Sequence, residues 1–309
     1  MSATHPPVIA VVGSSAMDMT CYADVLPSAG ETIIGNLFTT GFGGKGANQA
    51  VMAARAGATV YMVGRVGDDV FGKSVLENFA DQGINTDYVG ISSLATGVAH
   101  IWVDGGGENR ILIIPGANHD IDIQEATQAI NSIPDLEIVI GQCEVIQEIT
   151  LAAFTAAKTR GCTTILNPAP YQPLSKELLA VTDWLIPNET EFSQIHPEHV
   201  LPTSDEIIAS LRPGQSVIVT LGAEGAAMVD SSGVISRVPS PRVIAVDSTG
   251  AGDCFIGTLA AALGSGMDSS PAMQSACECA ALSVTRKGAQ SSYPSREETA
   301  DILNTSGVL

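Results

Sequence analysis

The chain has 309 residues, 45% of them apolar and only 15% charged, which excludes a disordered chain and supplies a large core. A formal net charge of −19 sets the surface against nucleic acid and anionic lipid, so no nucleic-acid or membrane partner is expected, and an anionic substrate needs local dipoles, a cation or a few placed basic residues. No apolar run approaches the roughly 18 residues of a membrane span, Met1–Pro7 lacks a signal core, and six scattered cysteines show no zinc spacing, so a reduced, cytoplasmic protein is expected.

Val8–Val12 is a short β-branched run, the pattern of a strand buried on both faces. Gly13-Ser14 and Asp18 follow it, at the strand's carboxyl end, where α/β folds bind ligands. Residues 19–40 read as extended, and an Ala-rich helix is expected over Ala47–Ala56. Strand Val60–Val63 and helix Gly72–Gln82 come next. Gly97–Val103 and Ile111–Ile114 flank Asp104-Gly-Gly-Gly-Glu-Asn109, a turn signal that predicts a hairpin. Further strands are expected at Glu137–Ile140, Thr163–Leu166, Trp184–Ile186 and Val217–Leu221, and a helix over Ile149–Thr159. Thr203-x-x-Glu206 and Ser295-x-x-Glu298 read as capping boxes that open helices.

Strands alternating with helices predict an α/β fold with a doubly wound, mostly parallel sheet. The two irregular stretches, about 15–42 and 95–115, predict a small second sheet; so few strands cannot hold a core alone, so they cover something or pair with another subunit. No internal repeat or low-complexity linker divides the chain, and one domain over 1–309 is expected.

Asp247-Ser-Thr-Gly-Ala-Gly-Asp253 runs into the helical stretch Cys254–Leu263. A glycine-broken turn entering a helix aims the backbone N–H groups of Gly250, Ala251 and Gly252 outward at a dipole-positive end. That is an anion hole for a transferring phosphoryl group, and Asp253 in the first turn can take a proton from an attacking hydroxyl. An isolated Asp there would be an ordinary helix-start residue; the whole heptapeptide reverses that reading. Gly41-Phe-Gly-Gly-Lys-Gly-Ala-Asn48 formally matches a dinucleotide fingerprint, but the polar stretch before it is a poor strand. It also departs from a P-loop, because Gly46 follows Lys45 where Ser or Thr belongs. The alternative is a loop whose glycines let a polyol approach the backbone, with Lys45 and Asn48 as donors. Glu144, Asn188-Glu-Thr-Glu191 and Thr220-Leu-Gly-Ala-Glu-Gly225 also follow strands, so they converge on one edge of the sheet.

Gly43-Gly-Lys-Gly-Ala-Asn-Gln-Ala50 and Asp247–Asp253 together resemble the paired signatures of the PfkB carbohydrate-kinase family, and its ribokinase branch in particular. Asn167-Pro-Ala-Pro170, Asn188–Glu191, Thr220-Leu-Gly222 and Thr285-Arg-Lys-Gly-Ala-Gln290 match in order and spacing, from about Val8 to Glu298. The resemblance implies a ribokinase-like fold whose small sheet is a lid that pairs two subunits as a homodimer. It implies transfer of the γ-phosphate of ATP to the 5-hydroxyl of D-ribose, giving D-ribose 5-phosphate and ADP, with Asp253 as base and Gly250, Ala251 and Gly252 as the anion hole. The positions implied for the sugar are Ala16, Met17, Asp18, Gly44, Lys45, Gly46, Asn48, Glu144 and Asp253. Those implied for ATP are Asn188, Thr220, Leu221, Gly222, Gly225, Gly252 and Cys277. Glu191 would help organise Mg²⁺, and Asp247, Thr249, Ser283, Arg286, Gly288 and Ser292 would surround K⁺, mostly through carbonyls.

Ala16 departs from the pattern, in which Asn often contacts the C2 hydroxyl of ribose. A site without that polar group discriminates less against a sugar lacking the hydroxyl, so 2-deoxyribose or another pentose is the alternative substrate. A non-enzymatic sugar sensor on the same fold and a nucleotide-dependent dehydrogenase are the readings of other classes.

Overall fold

The computed structural model describes residues 5–196 and 214–305; the Thr203–Glu206 box lies outside them. Strands in chain order are β1 (Val8–Val12), β2 (Ala16–Tyr22), β3 (Leu37–Gly43), β4 (Thr59–Gly67), β5 (Asn85–Ser92), β6 (Gly97–Val103), β7 (Asn109–Ile114), β8 (Ile138–Gly141), β9 (Thr163–Leu166), β10 (Trp184–Leu185), β11 (Ser216–Thr220), β12 (Ala226–Val229) and β13 (Ile235–Val238). Helices are α1 (Lys45–Arg55), α2 (Val70–Asp81), α3 (Ile123–Ser132), α4 (Gln147–Thr159), α5 (Lys176–Ala180), α6 (Glu189–Ile195), α7 (Ala251–Gly264), α8 (Ser269–Ser283) and α9 (Arg296–Thr305).

Nine strands form one sheet in the order β13-β12-β11-β10-β9-β8-β1-β4-β5, parallel except at β12 and β13. β1 explains the layering. Its side chains alternate, so Ile9 and Val11 enter one core with α1, α2, α7 and α8, while Val8, Ala10 and Val12 enter the other with α3 to α6. Both faces are therefore apolar, as its uninterrupted β-branched run requires. Each buried Phe or Met in these cores, such as Phe79, Met52 or Phe154, stabilises the fold by roughly 1.5–3 kcal/mol. α1 and α7 pack closely where Gly257 sits: a Cβ there would lie 2.6 Å from the Gln49 carbonyl oxygen and 2.7 Å from Met52 Cβ. That contact, one turn beyond Asp253, brings the two sequence motifs together.

The second sheet has four strands, β3-β2-β6-β7, with β2 and β6 parallel and the outer pairs antiparallel. The expected hairpin is β6–β7. Residues 19–40 are not extended throughout: the strand stops at Tyr22 and resumes at Leu37. Pro27 and Gly30, at φ +82°, break it, and the intervening loop is closed by Asn36 donating to Asp24 (2.7 Å). A strand, β3, does precede the glycine motif, but it belongs to this small sheet and pairs antiparallel, not within a βαβ unit. Helices begin slightly earlier than expected. Asp69 caps α2 by accepting from Gly72 N, and the Ser295–Glu298 box forms at 2.8 and 3.1 Å.

Candidate active site

The centre lies where α1 meets α7. Asp253 is buried in the first turn of α7, behind Gly250, which caps the helix at φ +74°. Both carboxylate oxygens are held from α1: Asn48 donates to Oδ2 (3.0 Å) and Gln49 to Oδ1 (2.8 Å). Those amides are oriented in turn. Gln290 donates to Asn48 Oδ1 (3.0 Å) and Asn78 to Gln290 (2.9 Å). Gln142 donates to Gln49 Oε1 (2.8 Å), while Gln49 Nε2 also reaches Asn167 Oδ1 (3.2 Å). The side-chain oxygens of Asn48 and Gln49 are thus occupied, so their NH₂ ends have to face the acid, and Asp253 is fixed as an acceptor.

The anion hole differs in detail from expectation. Ala251 N–H donates to the Ser248 carbonyl (3.2 Å), so it is already used by the turn. The Gly250 and Gly252 amides have no partner among the described residues. Gly252 is exposed and has nothing within 4 Å of where a Cβ would stand, so its face is open.

A group of acidic side chains stands beside Asp253. Ala16 and Asp18 share one face of β2, and Met17 points the other way into the main core; Met17 is thus not brought to this group. Asp18, which follows the carboxyl end of β1 in the chain, lies on β2 of the second sheet. Burial, followed by the neighbouring Glu144 and Asp253 charges, pushes the Asp18 carboxyl up to about 7. Glu144 accepts from Ser14 Oγ (2.5 Å) and from the Lys45 amide (2.9 Å), which pins the start of α1. Gly44 caps α1, and Gly46 lies against the β1–β2 turn through Ser14. Lys45 is half-buried among these acids. Asp253 foremost, with Glu144 and Glu191, outweighs the cost of burial and holds its ammonium above the usual range.

On the other side of the α7 N-terminus opens a cleft of about 510 Å³. Thr220, Gly222, Gly225, Gly252 and Cys277 line it, together with Ser248, Phe255 and Arg242, which sequence reasoning missed. Its lining is largely apolar towards Phe255, Ala280 and Val284, suited to a flat base, with open amides at the inner end. Leu221 and Asn188 are not part of this lining: Leu221 packs against the core on the α3–α6 side, and Asn188 pairs with Thr220 in a parallel bridge. Asn188 caps α6 in a reciprocal box with Glu191, donating its N–H to Glu191 Oε2 (2.9 Å) and accepting from Glu191 N (2.8 Å). Burial raises the Glu191 carboxyl, against the Asn188 hydrogen bond and Lys45.

Asp247 organises the turn below the helix. It accepts from Thr249 N (2.9 Å), Thr249 Oγ1 (2.6 Å) and Gly288 N (2.8 Å), and these bonds outweigh its burial to hold it below the usual carboxylate range. The carbonyls of Asp247, Thr249 and Gly288 accept no hydrogen bond among the described residues. Free carbonyls beside a half-buried carboxylate are the hard-oxygen donor set of an alkali cation. Ser283 and Ser292 are buried with their hydroxyls turned to the Ala280 and Ala289 carbonyls, so only their own carbonyls could serve, and the Ser283 carbonyl already accepts from Arg286 N. The Arg286 side chain pairs with Glu298. No group of three His, Cys, Asp or Glu side chains that could hold a metal occurs among the described residues. A divalent ion would therefore fit here only if carried largely on phosphates.

Gln49 and Gln290 were within motifs already singled out, and Asn167 too, yet their roles emerge only from long-range contacts. Gln142 gave no signal. Cys254 and Cys277 are buried thiols, Cys277 pushed up to about 12 by burial, which makes them inert packing groups.

Residues 7–296 match the pfkB family carbohydrate kinases. The chain is 40% identical over 297 residues to the ribokinase of Bacillus subtilis (strain 168), covering 96% of this chain and 99% of that protein. It is 39% identical over 303 residues to the deoxyribokinase of Salmonella typhi, covering 96% and 98%. Among solved structures, a ribokinase from Thermotoga maritima superposes with a TM-score of 0.88 at 36% identity over 96% of this chain and 99% of that one. The Arabidopsis thaliana ribokinase complexed with ribose and ATP superposes with a TM-score of 0.86 at 32% identity, covering 97% and 99%.

Proposed function

Because the chain belongs to the pfkB family of carbohydrate kinases, ATP-dependent enzymes, we propose that it phosphorylates the 5-hydroxyl of D-ribose to give D-ribose 5-phosphate and ADP. The observation that carries this reading is Asp253: a buried carboxylate, gripped from both sides by Asn48 and Gln49, standing between an acidic polar pocket and a cleft with open amides. Asp18 and Glu144 accept sugar hydroxyls, and Lys45 balances their charge. Asp253 takes the proton of the 5-hydroxyl as that oxygen attacks the γ-phosphorus. The phosphoryl group passes to the sugar oxygen, ADP leaves, and the Gly250 and Gly252 amides meet the charge on the group in transit. The base lies in the cleft by Cys277 and Phe255. Mg²⁺ bound with the nucleotide, with Glu191 nearby, would neutralise phosphate charge, and K⁺ at the Asp247–Gly288 carbonyls would add positive field beneath the helix start.

The free thiols of all six cysteines support a reducing, cytoplasmic setting. The small sheet supports a homodimer: edge strand β7 exposes Ile111, Leu112, Ile113 and Ile114, an apolar edge that a lone subunit leaves uncovered.

One observation favours a second reading. Ala16, on the same strand face as Asp18, offers no polar side chain, which suits 2-deoxyribose. A panel of ribose, 2-deoxyribose and other pentoses with ATP, scored by kcat/KM, decides between them. In the same assay Asp253→Asn should still bind sugar but turn over at least ~10²-fold more slowly; full activity would end the proposed mechanism.

A further inference from the structure

We propose that Tyr293 is a positioning residue for phosphoryl transfer: its hydroxyl fixes the peptide from which the anion-binding start of α7 is built. This rests on the reading of the Gly250 and Gly252 amides as the anion hole. The Tyr293 side chain is 2% exposed, and its hydroxyl donates to the Gly250 carbonyl at 3.0 Å. That carbonyl also accepts from Cys254 N at 2.8 Å, the first bond of the helix. Gly250 has φ +74°, and a Cβ on it would stand 2.6 Å from the Tyr293 oxygen, so the phenol lies directly against the backbone.

A glycine in the left-handed region has the widest choice of peptide orientations of any residue. The direction of its carbonyl sets the plane of the next peptide and hence where the following amides aim. A ring serving only as packing would not need its oxygen, since a buried hydroxyl is costly unless it is bonded. Here it has one protein partner, and that partner is the cap of the catalytic helix. Burial and nearby Asp253 hold the phenol far above its usual range, so it remains a neutral donor. It touches no substrate and keeps its proton throughout.

Tyr293 is itself anchored. Arg55 Nη1 donates to its carbonyl (3.0 Å), and Arg55 Nε to Gln82 (3.0 Å). Arg55 is the last residue of α1, the helix that also carries Asn48 and Gln49. The base and the amide donors are thus both referenced to α1, one through Asn48 and Gln49, the other through Arg55 and Tyr293. A shift of one without the other would misalign hydroxyl, phosphorus and hole, and such small misplacements cost rate more than binding.

The test is Tyr293→Phe in the full chain, with kcat, sugar and ATP KM, and ADP affinity with and without aluminium fluoride in the presence of sugar. Aluminium fluoride stands in for the phosphoryl group in transit. The expected result is kcat lowered about tenfold, both KM values within about twofold, ADP affinity unchanged, and the fluoride-dependent gain in affinity reduced by about the same factor as kcat. An unchanged kcat and an unchanged fluoride gain overturn the proposal, as does an equal loss in ADP affinity without fluoride. Should the variant melt below the assay temperature, Arg55→Lys, which leaves the ring intact, is held to the same ratios and decides the matter. If the unmodified protein shows no fluoride-dependent gain, the anion-hole reading itself fails, which separates that failure from one confined to Tyr293.

Discussion

Sugar binding should release a proton near neutrality. Asp18 is raised to about 7 by burial first, then by Glu144 and Asp253. As an ionised acceptor it can take two sugar hydroxyls; once protonated it loses acceptor capacity and gains a donor that the sugar does not need. The bound state therefore selects the ionised form. Because the free protein holds this proton more tightly than an ordinary Asp, affinity rises with pH up to about 7 and levels off above it. One unit below, about one molecule in eleven is ionised, so the sugar KM should be roughly tenfold above its plateau, and roughly another tenfold per further unit. Titration calorimetry in buffers of different ionisation enthalpy should find about one proton released near pH 6 and almost none near pH 8. Asp18→Asn should bind weakly and without this slope. A wild-type KM that stays flat between about pH 5.5 and 8.5 would refute the argument, because the clustered carboxylates would then not compete for charge.

Two further outcomes follow from the same site. Ala16→Asn restores a polar group beside Asp18 and should raise the ribose to 2-deoxyribose ratio of kcat/KM by about tenfold or more; an unchanged ratio places the C2 contact elsewhere. Exchanging K⁺ for Na⁺ or a bulky organic cation should lower kcat while leaving sugar affinity alone, and equal rates in all three salts would remove the monovalent site.

The parallel core was legible because β1, β9 and β11 are apolar on both faces, a pattern that needs no knowledge of partners. Asp253 was legible because its glycines precede a helix, a local arrangement. What escaped depended on chain crossings. Asp18 read only as a carboxylate at the carboxyl end of β1, because nothing local reports that 16–22 pairs with 97–103. Ala251 read as a free donor because its bond to Ser248 is set by the turn's φ/ψ. The amides around Asp253 come from five separated segments, and a Gln in a sequence carries no mark of which partner will orient it. Arg242 and Phe255 share a cleft only because β12 and β13 turn antiparallel and deliver the 240s beside α7.

Lys45 shows how an acidic protein handles an anionic substrate. Asp18, Glu144, Glu191 and Asp253 crowd a half-buried space with Lys45 as the ammonium among them, and the surface at net charge −19 offers no help. The backbone amides at α7 supply direction, but they are partial charges; Lys45 is the full charge that lets several carboxylates stay ionised together. Lys45→Met keeps the stem and removes that charge. Glu191, already raised by burial and held down in part by Lys45, should rise further, so the acid limb of the kcat profile should move to higher pH. Loss of a charge-assisted partner of this kind costs about 1.5–3 kcal/mol, which is about ten- to over a hundredfold in kcat/KM. A uniform drop with the acid limb in its original place would mean that Lys45 serves only as a contact to substrate and that the carboxylates are balanced by something else.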